Sequence, residues 1–170
     1  MRHSVFLVAV SAFLLCVGAG KVQAQEEPVP QDKIPKAVMD ALLAKFPKAK
    51  IDKCTKAKEG DDIVYDIEFK QQNGRKGEAD IKENGTWINY EKEMDAKDLP
   101  KAVRAAIEKK YPKSTLKLVM EETEVKGKDE KLSAYEVMIE TADKKEVEVR
   151  VSPEGKILED TGEKKPEEKK

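Results

Sequence analysis

The apolar positions of this chain follow two periods in turn, and the same alternation is written twice. Val38, Leu42 and Phe46 lie four apart with Ala37 and Ala41 beside them; Val103, Ile107 and Tyr111 repeat the pattern beside Ala102 and Ala106. That spacing places one apolar stripe on each of two helices. Ile34-Pro35 and Leu99-Pro100 open the two stretches. Proline suits a first helical turn, where its missing N–H leaves no bond unmade. Asp98 reads as the N-cap of the second helix, whereas Lys33, its counterpart, has no capping side chain. Pro47 and Pro112 disfavour helix at the residue before them, so the helices should end near Lys45 and Lys110.

After each helix the period drops to two. Ile63, Tyr65, Ile67 and Phe69 alternate with Val64, Asp66, Glu68 and Lys70, as in a half-buried strand. Asn73-Gly74 and Asn84-Gly85 are hairpin signals. They delimit strands over 78–82 and 86–92, with a weaker strand over 51–57 before them. The second copy reads as strands over 116–122, 133–141, 146–152 and 156–160. Tight turns imply antiparallel pairing. The predicted class is α+β: two tandem helix-plus-four-stranded antiparallel units sharing a curved sheet, with the helices on one face.

The two copies align by sequence. Ile34-Pro35-Lys36-Ala37-Val38 returns 65 residues later as Leu99-Pro100-Lys101-Ala102-Val103, and Lys45-Phe46-Pro47-Lys48 returns as Lys110-Tyr111-Pro112-Lys113. Beyond the first strand the offset is 70: Tyr65-Asp66-Ile67 matches Tyr135-Glu136-Val137, and Gly85 matches Gly155. The change implies a five-residue insertion in the second copy, placed within 121–132. The expected layout is a signal peptide over 1–24, a disordered linker over 25–33, repeats over 34–94 and 95–162, and a disordered charged tail over 163–170. Arg2 and His3, the apolar run Val5 to Val17 and Val22-Gln23-Ala24 have the order of a secretory signal cleaved after Ala24. That points to a periplasmic or secreted protein.

Composition narrows the chemistry. The chain has 170 residues, 39% charged and 5% aromatic. Once 1–24 is removed no histidine remains, Cys54 is the single thiol, and 31 basic residues face 34 acidic ones. Ser-His-Asp and Cys-His nucleophiles cannot be assembled, nor can a Cys/His zinc site or a disulfide within the chain. The balanced charge argues against nucleic acid. Cys54 is either a small apolar filler or the link of a disulfide-bonded dimer. Charge is sorted by element: net +6 over 33–58, −6 over 59–99, +5 over 100–118 and −5 over 119–170. Basic helices and acidic strands suggest two opposite faces suited to steering a partner. Acid pairs such as Asp61-Asp62 and Glu121-Glu122 are numerous, and none stands out for catalysis or calcium binding. No catalytic residue, metal site or cofactor is expected. Trp87 is placed either on the open sheet face with Asn89 and Glu91 or, in the other register, beneath the helix.

The repeated unit resembles the PepSY-like, beta-lactamase-inhibitor-like domain of exported bacterial proteins. Ile34-Pro35, Ala37-Val38, Phe46-Pro47, Tyr65 and Gly85 carry the likeness in the first copy. Leu99-Pro100, Ala102-Val103, Tyr111-Pro112, Tyr135 and Gly155 carry it in the second. The resemblance implies sheets lined up around a concave, solvent-facing surface that, in inhibitor relatives, clasps an enzyme. The expected function is thus a non-enzymatic binding module that engages a protein or peptide of the cell envelope. Inhibition of a peptidase or other envelope enzyme would be one consequence. The expected contact residues are Trp87, Asn89, Glu91, Glu136, Met138 and Glu140. Membrane contact is not expected after signal cleavage. The alternative is an envelope protein that binds a small ligand or metal ion through surface carboxylates.

Overall fold

A computed structural model describes residues 26–162. The signal peptide read over 1–24, and the tail read over 163–170, lie outside the described residues. Nine strands form one antiparallel sheet whose spatial order is the chain order, β1 to β9. β1 is Glu27–Pro28, followed by the helix α1 at Lys36–Lys45. Then come β2 (Lys50–Glu59), β3 (Asp62–Lys70), β4 (Lys76–Lys82) and β5 (Trp87–Glu93). The second unit follows with α2 (Lys101–Lys110), β6 (Thr115–Lys126), β7 (Asp129–Glu140), β8 (Glu146–Val151) and β9 (Ile157–Asp160). β5 pairs with β6, so the two units share one sheet without a break.

Both helices lie on the same face of that sheet. Cys54, Ile67, Ala79 and Tyr90 are cross-strand neighbours, and the same row continues into β6. Val119, Val137 and Val149 are neighbours on the corresponding face of unit 2. α1 buries Val38 and Leu42 over the first set, and α2 buries Val103 and Ile107 over the second. Each helix therefore uses the two residues its four-residue spacing brings to one side. Full burial of such side chains contributes about 1.5–3 kcal/mol each. The helix-to-sheet approach is closest at Gly85 and Gly155. Both have positive φ, and a Cβ there would sit 2.8 Å from the Ala37 carbonyl oxygen and 2.7 Å from that of Ala102. Glycine is required at these turns for conformation and for space alike.

The structure differs from the expectations at three places. Residues 26–33 are ordered where a disordered linker is expected. Glu27 and Pro28 pair with Lys56 and Thr55, and the Val29 N–H donates to the Cys54 carbonyl at 2.8 Å. An uncovered edge of β2 takes up this polar segment, whose composition alone favours disorder. Asp98 does not cap α2. It ends a short 3-10 turn, Ala96–Asp98, which matches Gln31–Lys33 before α1, and proline occupies both cap positions without a side-chain bond. Finally, the insertion is an extension of the β6–β7 hairpin. That hairpin runs from Thr115 to Glu140, while its counterpart β2–β3 runs from Lys50 to Lys70. The additional length reaches across to unit 1, where Val125 packs on the first core.

Candidate functional site

Strand alternation sends every second side chain to the face away from the helices. There the register builds a row of acids across four strands: Glu68 on β3, Glu78 on β4, Glu91 on β5 and Glu122 on β6 are successive cross-strand partners. A second row, Asp66, Asp80 and Asn89, runs beside it. Glu136 on β7 pairs with Arg150 on β8, and Met138 with Glu148. Like charges directly opposed destabilise a sheet. The centre of this face is therefore an energetically costly arrangement that packing alone does not require.

Two cations offset part of that charge. Arg150 grips Glu122 with both ends of its guanidinium, Nε to Oε2 at 2.5 Å and Nη2 to Oε1 at 2.8 Å. Glu122 is only 2% exposed, so this is a buried, bidentate pair. At the β2 side, Lys53 donates to Glu68 at 3.0 Å. Asn89 donates its amide to Asp80 at 3.0 Å. Glu91 is treated differently: its Oε2 is sealed from solvent and accepts no hydrogen bond.

Burial raises the acids of this face, and their mutual repulsion adds to the effect. Asp66 is pushed up to about 6, with Glu68 adding to the rise. Glu78 is pushed up to about 7, with Asp66 and Glu68 contributing. Asp80 is pushed up to about 7 by burial and Asp66, although Asn89 pulls the other way. Glu136 is pushed up to about 8 by burial and the charges of Glu148, Glu78 and Glu122. Glu91 is raised well above the ordinary range by burial, with Glu136 and Glu78 next in effect. Near neutral pH the face thus holds a mixture of carboxyl and carboxylate.

Of the six expected contact residues, five lie on this face or its margin. Asn89, Glu91, Glu136 and Met138 are central. Glu140 lies at the β7 end, where Lys117 and Lys144 pair with it and lower it. Trp87 does not join them. A register shift between Asp80 and Ile81 pairs Ile81 with Trp87, which turns the indole to the helix side with Tyr90. There it meets Phe46 and Tyr90 edge-on, at centroid distances of 6.2 and 5.9 Å. Bulges break the strict alternation on which the other register depends. Sequence reasoning left Asp66, Glu68, Glu78, Asp80, Glu122 and Arg150 out of the site. The alternation of Asp66 and Glu68 with Ile67 and Phe69 was the available signal. Cys54 is 4% exposed in the first core, its thiol pushed up to about 11 by burial. A disulfide between two chains would require that core to open. Among the described residues no group of three Asp, Glu, His or Cys side chains is placed to hold a metal ion, and no helix is long and apolar enough to cross a membrane.

An open antiparallel sheet in chain order, backed on one face by two helices, defines the class of α+β protein. The family described as "Putative beta-lactamase-inhibitor-like, PepSY-like" matches residues 20–75 and 63–159, and the chain belongs to it. The fold is shared with a structure from Bacteroides eggerthii described as "putative periplasmic proteins": 15% identity, TM-score 0.55, covering 74% of this chain and 86% of that one. A "DUF2874 family" protein from Bacteroides uniformis is similar at 19% identity and TM-score 0.52, over 74% and 87% of the two chains. A "BLIP-like protein" from Bacteroides fragilis is 25% identical over 78% and 90% of the two chains, with a TM-score of 0.49. No curated protein matches the chain.

Proposed function

We propose that this protein is an exported, non-catalytic binding module that engages a protein or peptide through the open face of its sheet. The observation that carries the reading is the asymmetry of the two faces. Helices and apolar side chains occupy one, while the other holds a row of opposed carboxylates that folding does not need. Residues that weaken a fold and share one surface are candidates for recognition. Family membership supports it, as do the relatives described as periplasmic. Where the partner is an envelope enzyme, covering its active site would make the module an inhibitor.

The test is capture from an envelope extract on immobilised protein. Met138→Lys reverses the character of the open face, and Leu43→Lys alters the exposed helix side. A partner retained by wild type and Leu43→Lys and lost by Met138→Lys is the expected result. Equal capture by all three overturns the assignment to this face.

A further inference from the structure

Unit 2 brings its own cation to the open face, and unit 1 has an acid in the matching place. Arg150, which clamps Glu122, lies 70 residues after Asp80. Around Glu91 the facing groups are Glu78 and Asp80 on β4, Glu122 on β6, Glu136 on β7 and Arg150 on β8. Arg150 grips Glu122, lies 4.0 Å from Glu159 and pulls Glu136 down in part, and Lys53 at the far side donates to Glu68. Within this ring the Oε2 of Glu91 is buried and accepts nothing. A buried acceptor with no donor is costly, and a native structure rarely leaves one without a reason.

We infer that Glu78, Glu91 and Glu136 form a seat for a guanidinium or ammonium group carried by a basic segment of the partner protein. This rests on the open-face reading above and names the partner's chemistry. The Arg150–Glu122 pair shows, one strand away, the geometry the seat can offer: a planar fork on a buried carboxylate. A divalent ion is a poorer occupant, since it needs several oxygens converging on one point and no three acids among the described residues do so. Burial raises the acids of the seat, so a cation bound there would displace protons. Binding should therefore strengthen as pH rises through the range where Glu78 and Glu136 ionise, about 7 and about 8.

The experiment uses the full chain and a short blocked oligo-arginine peptide, with oligo-glutamate as the comparison. Titration calorimetry is run at two pH values, one above and one below that range, in buffers of different ionisation heat. Expected are binding of oligo-arginine alone, proton release at the lower pH, where the acids still hold their protons, and affinity about tenfold weaker in Glu91→Gln. Glutamine has the shape of the neutral acid, so the variant should fold; its Tm is measured alongside. Glu154→Gln, on the Ser152–Lys156 turn, should bind as wild type. Equal affinity of wild type and Glu91→Gln overturns the seat. So does a Tm rise with calcium chloride that Glu91→Gln abolishes, if the peptide does not bind. An extract partner lost by Met138→Lys but kept by Glu91→Gln overturns the seat and leaves the open-face reading standing. A partner lost by neither overturns both.

Discussion

The two units are built on one plan and solve the same packing problem with different side chains. In unit 1 Phe69 lies opposite Gly77, and its ring fills the space a Cβ would take, coming within 2.5 Å of that position. In unit 2 the matching pair is Ile139 opposite Val147. A large ring over no side chain and two medium branched chains fill comparable volume. The helix ends show a second exchange. Unit 1 sets Phe46 against Tyr90 at a centroid distance of 5.6 Å, with the Lys45 ammonium 4.5 Å from the Tyr90 ring centroid. Unit 2 places the hydroxyl on the other partner: Tyr111 donates to Asp160 at 2.6 Å, and Lys110 pairs with the same carboxylate at 2.7 Å. Unit 1 borrows its carboxylate instead. Glu130, at the tip of the extended β6–β7 hairpin, accepts from the Tyr90 hydroxyl at 2.8 Å and from Lys45. The lesson is that a repeat preserves total volume and hydrogen-bond satisfaction, and lets residue identity drift within those limits.

The sharpest way to break this comparison is to exchange its parts. Gly77→Val alone should cost about 3 kcal/mol, because the valine meets the Phe69 ring. Phe69→Ile alone should cost about 2 kcal/mol by leaving a void. The double variant should recover most of both losses, and urea unfolding of the cycle would show the coupling. Additive losses would refute the volume exchange. Gly85→Ala and Gly155→Ala test what the units share. Each should cost about 2–3 kcal/mol, through the carbonyl contact and the positive φ together, and the two costs should be alike.

A third prediction concerns the open face and follows from its titration. Asp66, Glu78, Asp80 and Glu136 have folded values raised to about 6, 7, 7 and 8. The folded state therefore holds more protons than the unfolded chain. Its stabilising share is fully present below the ordinary carboxylate range and is lost as pH rises through 6 to 8. Thermal unfolding should show a higher Tm at pH near 5 than near 8, with a difference of about 2 kcal/mol or more in stability. Glu91→Gln should narrow that gap, and a Tm that rises with pH would contradict the assignment. The smallest effect separates two turns. Gly74 in unit 1 has φ 83°, and the matching Lys144 in unit 2 adopts φ 65° despite its side chain. Lys144→Gly should stabilise by about 0.5–1 kcal/mol, measured by chemical denaturation.

Helices, strands and the duplicated plan were legible because each rests on local spacing. Val38 and Leu42, or Ile63 through Phe69, declare their period within a few residues. The open face was legible only in part. Asn89, Glu91, Glu136 and Met138 follow from alternation, whereas Trp87 depends on a bulge between Asp80 and Ile81 that no local pattern marks. Glu122 and Arg150 meet from strands 28 residues apart, and Glu130 reaches Tyr90 across 40. Such pairings depend on the sheet's register and on how far an extended hairpin reaches. β1 was hidden for a related reason: its backbone, rather than its side chains, earns its place at the sheet edge.

The chain-order sheet also has a consequence in time. Each strand from β2 on pairs with the strand made just before it, so a chain delivered N-terminus first can add each strand as it arrives, across short turns within a unit and across a helix before β2 and β6. Unit 1 can form its sheet and dock α1 in this way while the rest is still being supplied. Its final contacts cannot form so early. Tyr90 and Lys45 must wait for Glu130, and Val125 must arrive to cover the first core. The second unit thus acts as a late fastener on the first, and folding of the first half is completed only after the β6–β7 hairpin tip, midway through the second unit, has been delivered.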